Sequence, residues 1–153
     1  MTSRSHSASR IILATPHAIF RAFLDPEVIL KWRPPTGMTA RLEAFDPRLG
    51  GGYRMTLRYE DAGLPAGKTT ADSDTILARF LEIDADQQIV EAIAFDSEEP
   101  AFAGTMTLTT TMKPVQGGTK VTFLAENVPL GISADDHRKG MESSLKNLAN
   151  LLE

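Results

Sequence analysis

The sequence predicts an α+β fold, a curved antiparallel sheet closed by one long C-terminal helix. Three observations carry this reading. His137, Met141, Leu145, Leu148 and Leu152 recur at spacings of three and four between Ser133 and Glu153, so they share one helical face. Much of the chain before that stripe alternates apolar and polar residues, as strands with one buried face do. Two X-Pro pairs, Thr15-Pro16 and Asp25-Pro26, each set a capping side chain before a proline at the first helical position.

In chain order, residues 1–7 read as a frayed tail and Ser9 to Ala14 as a short apolar strand. Thr15 then caps a helix whose apolar face is Ile19, Phe20, Phe23 and Leu24. Asp25-Pro26 opens a second short helix through Lys31. Trp32 to Gly37 holds two prolines and a glycine and is expected to be a loop. Met38 to Phe45 is a strand, followed by a turn at Asp46-Pro47 and Gly50-Gly51-Gly52. Tyr53 to Glu60 places Tyr53, Met55, Leu57 and Tyr59 on one face, with Arg54, Thr56, Arg58 and Glu60 on the other. After the loop Asp61 to Lys68, Thr70 to Asp84 and Gln88 to Phe95 form a strand pair about the Asp84-Ala85-Asp86 turn. The acidic loop Asp96 to Pro100 leads to Ala103–Met112, where Met106, Leu108 and Met112 oppose a row of threonines. Gly117-Gly118 turns the chain into the last strand, Thr119 to Glu126. Ser133 caps the closing helix, and Asp135 and Asp136 suit the positive end of its dipole. The order is β-α-α-β-β-β-β-β-β-α.

At 153 residues the chain is most simply one domain with a core of its own. A net charge of −4 argues against a nucleic-acid binder, which needs a basic stripe. There is no cysteine, which excludes disulfides, thiol catalysis and cysteine-ligated metals. No apolar run reaches the length of a membrane span, and MTSRSHSASR has no hydrophobic segment behind it, so a cytoplasmic location is the default expectation.

A curved sheet and a helix do not close along their whole length, and the gap between them is the place for a pocket. The residues aimed at it are large and soft: Phe20, Trp32, Met55, Tyr59, Phe80, Phe95, Met106, Phe123 and Met141, with Tyr53 and Leu145 beside them. Among polar candidates, His137 lies on the inward stripe of the last helix. It either serves as a general acid/base or bonds a neighbouring strand or loop. Glu126, at the end of the last strand with Asn127, can pair with His137 or Arg33, or stand solvated. Arg33 either binds an anionic head group or stands in water beside a core tryptophan. Arg79 is the other cation whose face the period leaves open. Tyr53 and Tyr59 either polarise a ligand carbonyl or fill the core with satisfied hydroxyls. No cofactor is indicated. The triple glycine precedes a strand and lacks the Lys-Ser/Thr of a phosphate loop. The three histidines, His6, His17 and His137, lack metal-ligand spacing, and no acyl-enzyme triad or nucleophile elbow is present.

TPHAIFRAFLDPEVILKW (15–32), FDPRLGGGYRM (45–55), GGTKVTF (117–123) and DHRKGMESSLKNLANLL (136–152), in this order, resemble the START-like superfamily (SRPBCC, Bet v 1-like). The chain is most similar to the branch named for the C-terminal domain of the activator of Hsp90 ATPase. The resemblance spans essentially the whole chain and implies a single helix-grip domain over residues 1–153 with a cavity. Two positions depart from the pattern. Arg33 stands where a second aromatic often follows the tryptophan, and Gly140-Met141 stands where the family often has Gly-Trp. The superfamily includes lipid and hormone carriers, polyketide cyclases and aromatases, and co-chaperones, so the fold does not by itself choose a function. The expected function is a binding module for a hydrophobic or amphipathic small molecule, with Trp32, Arg33, Tyr53, Met55, Tyr59, Phe80, Phe95, Met106, Phe123, His137, Met141 and Leu145 lining the site. The alternatives are a cyclase- or hydrolase-type enzyme using His137 with Glu126, and a co-chaperone. A homodimer is a further expectation, since small folds of this kind often pair.

Overall fold

The computed structural model describes residues 4–59 and 73–153. Seven strands form one antiparallel sheet: β1 (Ser5–Ile12), β2 (Met38–Glu43), β3 (Gly52–Tyr59), β4 (Ser73–Asp84), β5 (Gln88–Phe95), β6 (Thr105–Val115) and β7 (Gly118–Glu126). Three α-helices, α1 (Pro16–Leu24), α2 (Pro26–Trp32) and α3 (Ala134–Leu152), and a 3-10 turn at Pro100–Phe102 complete the described elements. The expected order of strands and helices is the observed one. The loop Asp61 to Lys68 and the expected start of a strand at Thr70 lie outside the described residues.

The sheet order is β1-β7-β6-β5-β4-β3-β2. From β2 to β7 each strand pairs with the next, and the first strand then joins the free edge of the last. The sheet curves into a half-barrel around α3, the helix-grip arrangement. A register shift between Phe80 and Glu82 skips Leu81 and bends β4 at mid-strand.

The helix starts follow the sequence signals. Thr15 Oγ1 accepts from Ala18 N (3.1 Å), Asp25 Oδ1 from Glu27 N (2.9 Å), and Ser133 Oγ from Asp136 N (3.0 Å). These caps satisfy amides that the helices leave without partners.

The tail differs from expectation. Ser5, His6 and Ser7 pair with Glu126, Ala125 and Leu124, so β1 begins four residues early and ends at Ile12 rather than Ala14. The cause is tertiary. The outer edge of β7 offers unpaired backbone groups, and Arg4 is tied down by donating to Pro129 O and Ile132 O, each at 2.6 Å.

The triple glycine is a turn, but its members do different things. Gly50 has φ of +82°, a left-handed conformation open to glycine. At Gly52 a side chain would run into the carbonyl oxygen of Ala78 on the paired strand. Gly52→Ala is therefore expected to destabilise by about 1–3 kcal/mol through overpacking, read as a lower urea midpoint at unchanged slope. An effect within about 0.5 kcal/mol would mean that β3 and β4 part more easily there.

One apolar cluster lies between sheet and helices. Ile12, Ile19, Phe23, Ile29, Trp32, Met55, Ile89, Val121, Leu145 and Leu148 are all essentially inaccessible.

Candidate functional site

Strand period carries a carboxylate into this apolar interior. On β5, Ile89, Glu91 and Ile93 share the inward face, and Glu91 is 1% exposed. On β3 the same period turns Tyr53 inward. On the opposite side, α2 ends at Trp32 and Arg33 follows in helical conformation, its N–H donating to Ile29 O at 2.9 Å.

The three side chains meet. Tyr53 Oη donates to Glu91 Oε2 at 2.6 Å, and Arg33 Nη2 donates to Glu91 Oε1 at 3.3 Å. The Arg33 side chain is 10% exposed. Its guanidinium carbon lies 5.7 Å from the Trp32 ring centroid and 6.0 Å from that of Phe23, within cation–π range. Burial opposes the charge on Arg33, but the Glu91 carboxylate outweighs it and holds the arginine pKa above its ordinary value. Burial pushes the Tyr53 hydroxyl up, and the Glu91 carboxylate adds to this against the pull of Arg33, so Tyr53 stays a phenol. Arg33 Nη1 is buried with no hydrogen-bond partner among the described residues, and Thr110 Oγ1 is the same.

Helix α3 holds this arginine in place. Ser144 Oγ donates to Arg33 O at 2.6 Å, Asn147 Nδ2 donates to Pro34 O at 3.0 Å, and Thr36 N donates to Ser143 Oγ at 2.8 Å. The breaker-rich stretch after Trp32 is thus pinned to the helix.

Among the expected site residues, Trp32, Tyr53, Met55, Phe80, Met106, Phe123, Met141 and Leu145 all lie in the single core cluster. Phe95 is partly buried, with its ring 6.4 Å from that of Phe102. Tyr59 is partly buried and donates to Asp74 Oδ2 at 3.3 Å. Burial first, then Asp74 and the charge of Asp136, push its pKa up to about 12. Arg79 is exposed, on the opposite face of β4 from Ala78 and Phe80.

Of the two readings of Glu126, a pair with His137 or Arg33 and a solvated strand end, the second is observed. Alternation along β7 buries Phe123 and Ala125 and leaves Glu126 exposed on the other face. The carboxylate that Arg33 meets is Glu91, which is not among the site residues expected from the sequence. Its signal was present, since Glu91 shares the parity of Ile89 and Ile93. Asn127 is a turn residue with φ of 57°, and its side-chain amide donates to Thr105 O at 2.8 Å.

His137 stands in the first turn of α3 with Nδ1 2.8 Å from Nδ1 of His6. One ring must donate and the other accept, so the accepting nitrogen is unprotonated. Burial, then Arg4, lowers the pKa of His6. A lowered histidine contributes stability above its unfolded value of about 6.5 and loses it as pH falls through the folded value. Melting temperature should therefore fall on acidification from neutral pH, and His6→Ala should flatten that slope while costing about 0.5–1.5 kcal/mol at neutral pH. Parallel slopes for the two proteins would remove His6 from the acid response.

Among the described residues, two open surface depressions lie away from this interior. One is bordered by Asp84, Asp86, Gln88 and Lys113, the other by His17, Arg21, Asp25 and Glu27. No group of three or more histidine, aspartate or glutamate side chains among the described residues could hold a metal ion. No helix among them is long and apolar enough to cross a membrane.

The fold has solved relatives. A protein of Chromobacterium violaceum is 30% identical, matching over 97% of this chain and 96% of that one with a TM-score of 0.86. A protein of Rhizobium loti is 25% identical over 97% and 96% of the two chains, with a TM-score of 0.72. The AHSA1 protein of Silicibacter pomeroyi, 15% identical over 97% of each chain with a TM-score of 0.78, shares the fold. No curated protein matches the sequence. Residues 13–153 match the family described as Activator of Hsp90 ATPase homolog 1-like protein, and the chain belongs to that family.

Proposed function

We propose that this protein is a small-molecule binding module that takes an amphipathic molecule between the sheet and α3, with Arg33 at the polar end. The observation that carries this reading is Arg33 Nη1, a charged donor nine-tenths buried and without a partner among the described residues. Native proteins satisfy nearly all buried polar groups, so an orphaned guanidinium nitrogen points to a missing acceptor. Met55, Met106 and Met141 contribute side chains that repack around varied apolar shapes. The acid–base reading has less support, because Glu126 faces away from the interior and His137 is engaged with His6.

Native mass spectrometry of gently purified protein, compared with its denatured mass, tests the proposal. Extra mass that leaves on denaturation, and that Arg33→Met protein does not carry, is the expected result. Bare protein that no amphipathic molecule stabilises against heat would overturn it.

A further inference from the structure

We infer that the molecule bound at Arg33 presents a neutral carbonyl oxygen, as in a ketone, ester or amide, rather than a carboxylate or phosphate. The inference rests on the binding reading above and names the chemistry of that ligand.

Charge balance decides between the two. Arg33 and Glu91 form a neutral pair, and Tyr53 remains a phenol. The other buried polar or charged side chains among the described residues are Ser73, Asp74, Thr75, Thr110, Thr119 and Ser144, none of them a cation. An anionic head group would leave a net negative charge in an apolar interior, and an uncompensated buried ion is strongly unfavourable.

Donor chemistry narrows the class further. Guanidinium N–H groups donate and cannot accept, so the partner must carry lone pairs, and a ligand cation is excluded by both charge and bonding. The second orphaned group points the same way. Thr110 is fully buried, and because Leu108 faces Glu91 across β5 and β6, Thr110 sits diagonally from Glu91 on the inward face. Its hydroxyl adds hydrogen-bonding capacity without charge. A carbonyl oxygen offers two lone pairs, is uncharged, and joins directly to the apolar skeleton that the surrounding methionines and aromatics would hold.

The test uses three probes of equal chain length, octyl methyl ketone, decanoate and decane, titrated calorimetrically into the full chain at about pH 8, where the carboxylate is ionised. The ketone should bind at least about tenfold more tightly than either decanoate or decane, a margin that one charge-assisted hydrogen bond can supply. Arg33→Met, with its fold verified by circular dichroism, should bind ketone and decane alike. The triple variant Arg33→Met/Tyr53→Phe/Glu91→Leu, which strands no buried charge, provides the same comparison if the single methionine variant does not fold. Decanoate binding as tightly as the ketone would overturn the neutral-carbonyl assignment and leave the binding module standing. Ketone and decane binding equally to the unaltered protein would remove Arg33 from recognition. Failure of all three to bind would overturn the binding reading itself.

Discussion

Glu91→Ala will cost the fold about 3–5 kcal/mol, the range for removing one partner of a buried ion pair. The loss exceeds what a deleted contact would give, because two groups are stranded together. The Arg33 guanidinium keeps its charge without the carboxylate at 3.3 Å, and the Tyr53 hydroxyl loses the acceptor at 2.6 Å. Relieving both defects at once should recover most of the stability. The triple variant Arg33→Met/Tyr53→Phe/Glu91→Leu leaves no polar side chain of this trio in the core, and such replacements are often neutral or stabilising. Urea denaturation of the single and triple variants checks this. A Glu91→Ala cost below about 1 kcal/mol would mean that water already reaches the pair. A triple variant less stable than Glu91→Ala would mean that the trio specifies the packing around it as well as balancing charge.

Trp32→Ala should be of similar size, about 3–5 kcal/mol. Trp32 is fully buried, meets Phe23 edge-to-face at 4.6 Å, and donates from Nε1 to Ala22 O at 3.0 Å. The indole therefore joins α1 to α2 by packing and by a hydrogen bond, and it supplies one of the two aromatic faces beside the Arg33 guanidinium. Trp32→Phe keeps an aromatic face and drops the donor, so it should cost less than the alanine variant. Because this is the single tryptophan in the sequence, unfolding must be followed by circular dichroism rather than tryptophan emission. Equal costs for the phenylalanine and alanine variants would place the whole effect in the hydrogen bond.

The helices and strands were legible because their signals are local. Thr15-Pro16, Asp25-Pro26 and Ser133 carry capping chemistry within a few residues, and the strand period repeats in every pair of residues. The start of the first strand is not legible in the sequence, because Ser5, His6 and Ser7 have no apolar period of their own. They are strand because β7 and Arg4 make them so. The site divides in the same way. Arg33 stood out beside Trp32 in the sequence, and Tyr53 by its period. Glu91 was equally marked by parity, but a lone acid in a strand of alternating residues gives no sign of what it will meet.

By itself the sequence determined the order of elements, the helix caps, the inward faces of most strands and the residues that form the core. Each of these follows from the chemistry of neighbours along the chain. Only the tertiary structure decided that Arg33 pairs with Glu91, 58 residues away, rather than with Glu126, and that His137 meets His6. Those pairings depend on strand register, on the face each strand turns inward, and on the way Ser143, Ser144 and Asn147 pin the loop after Trp32. Long-range geometry of that kind, unlike the local preference that starts a helix, has no signature in any single stretch of the chain.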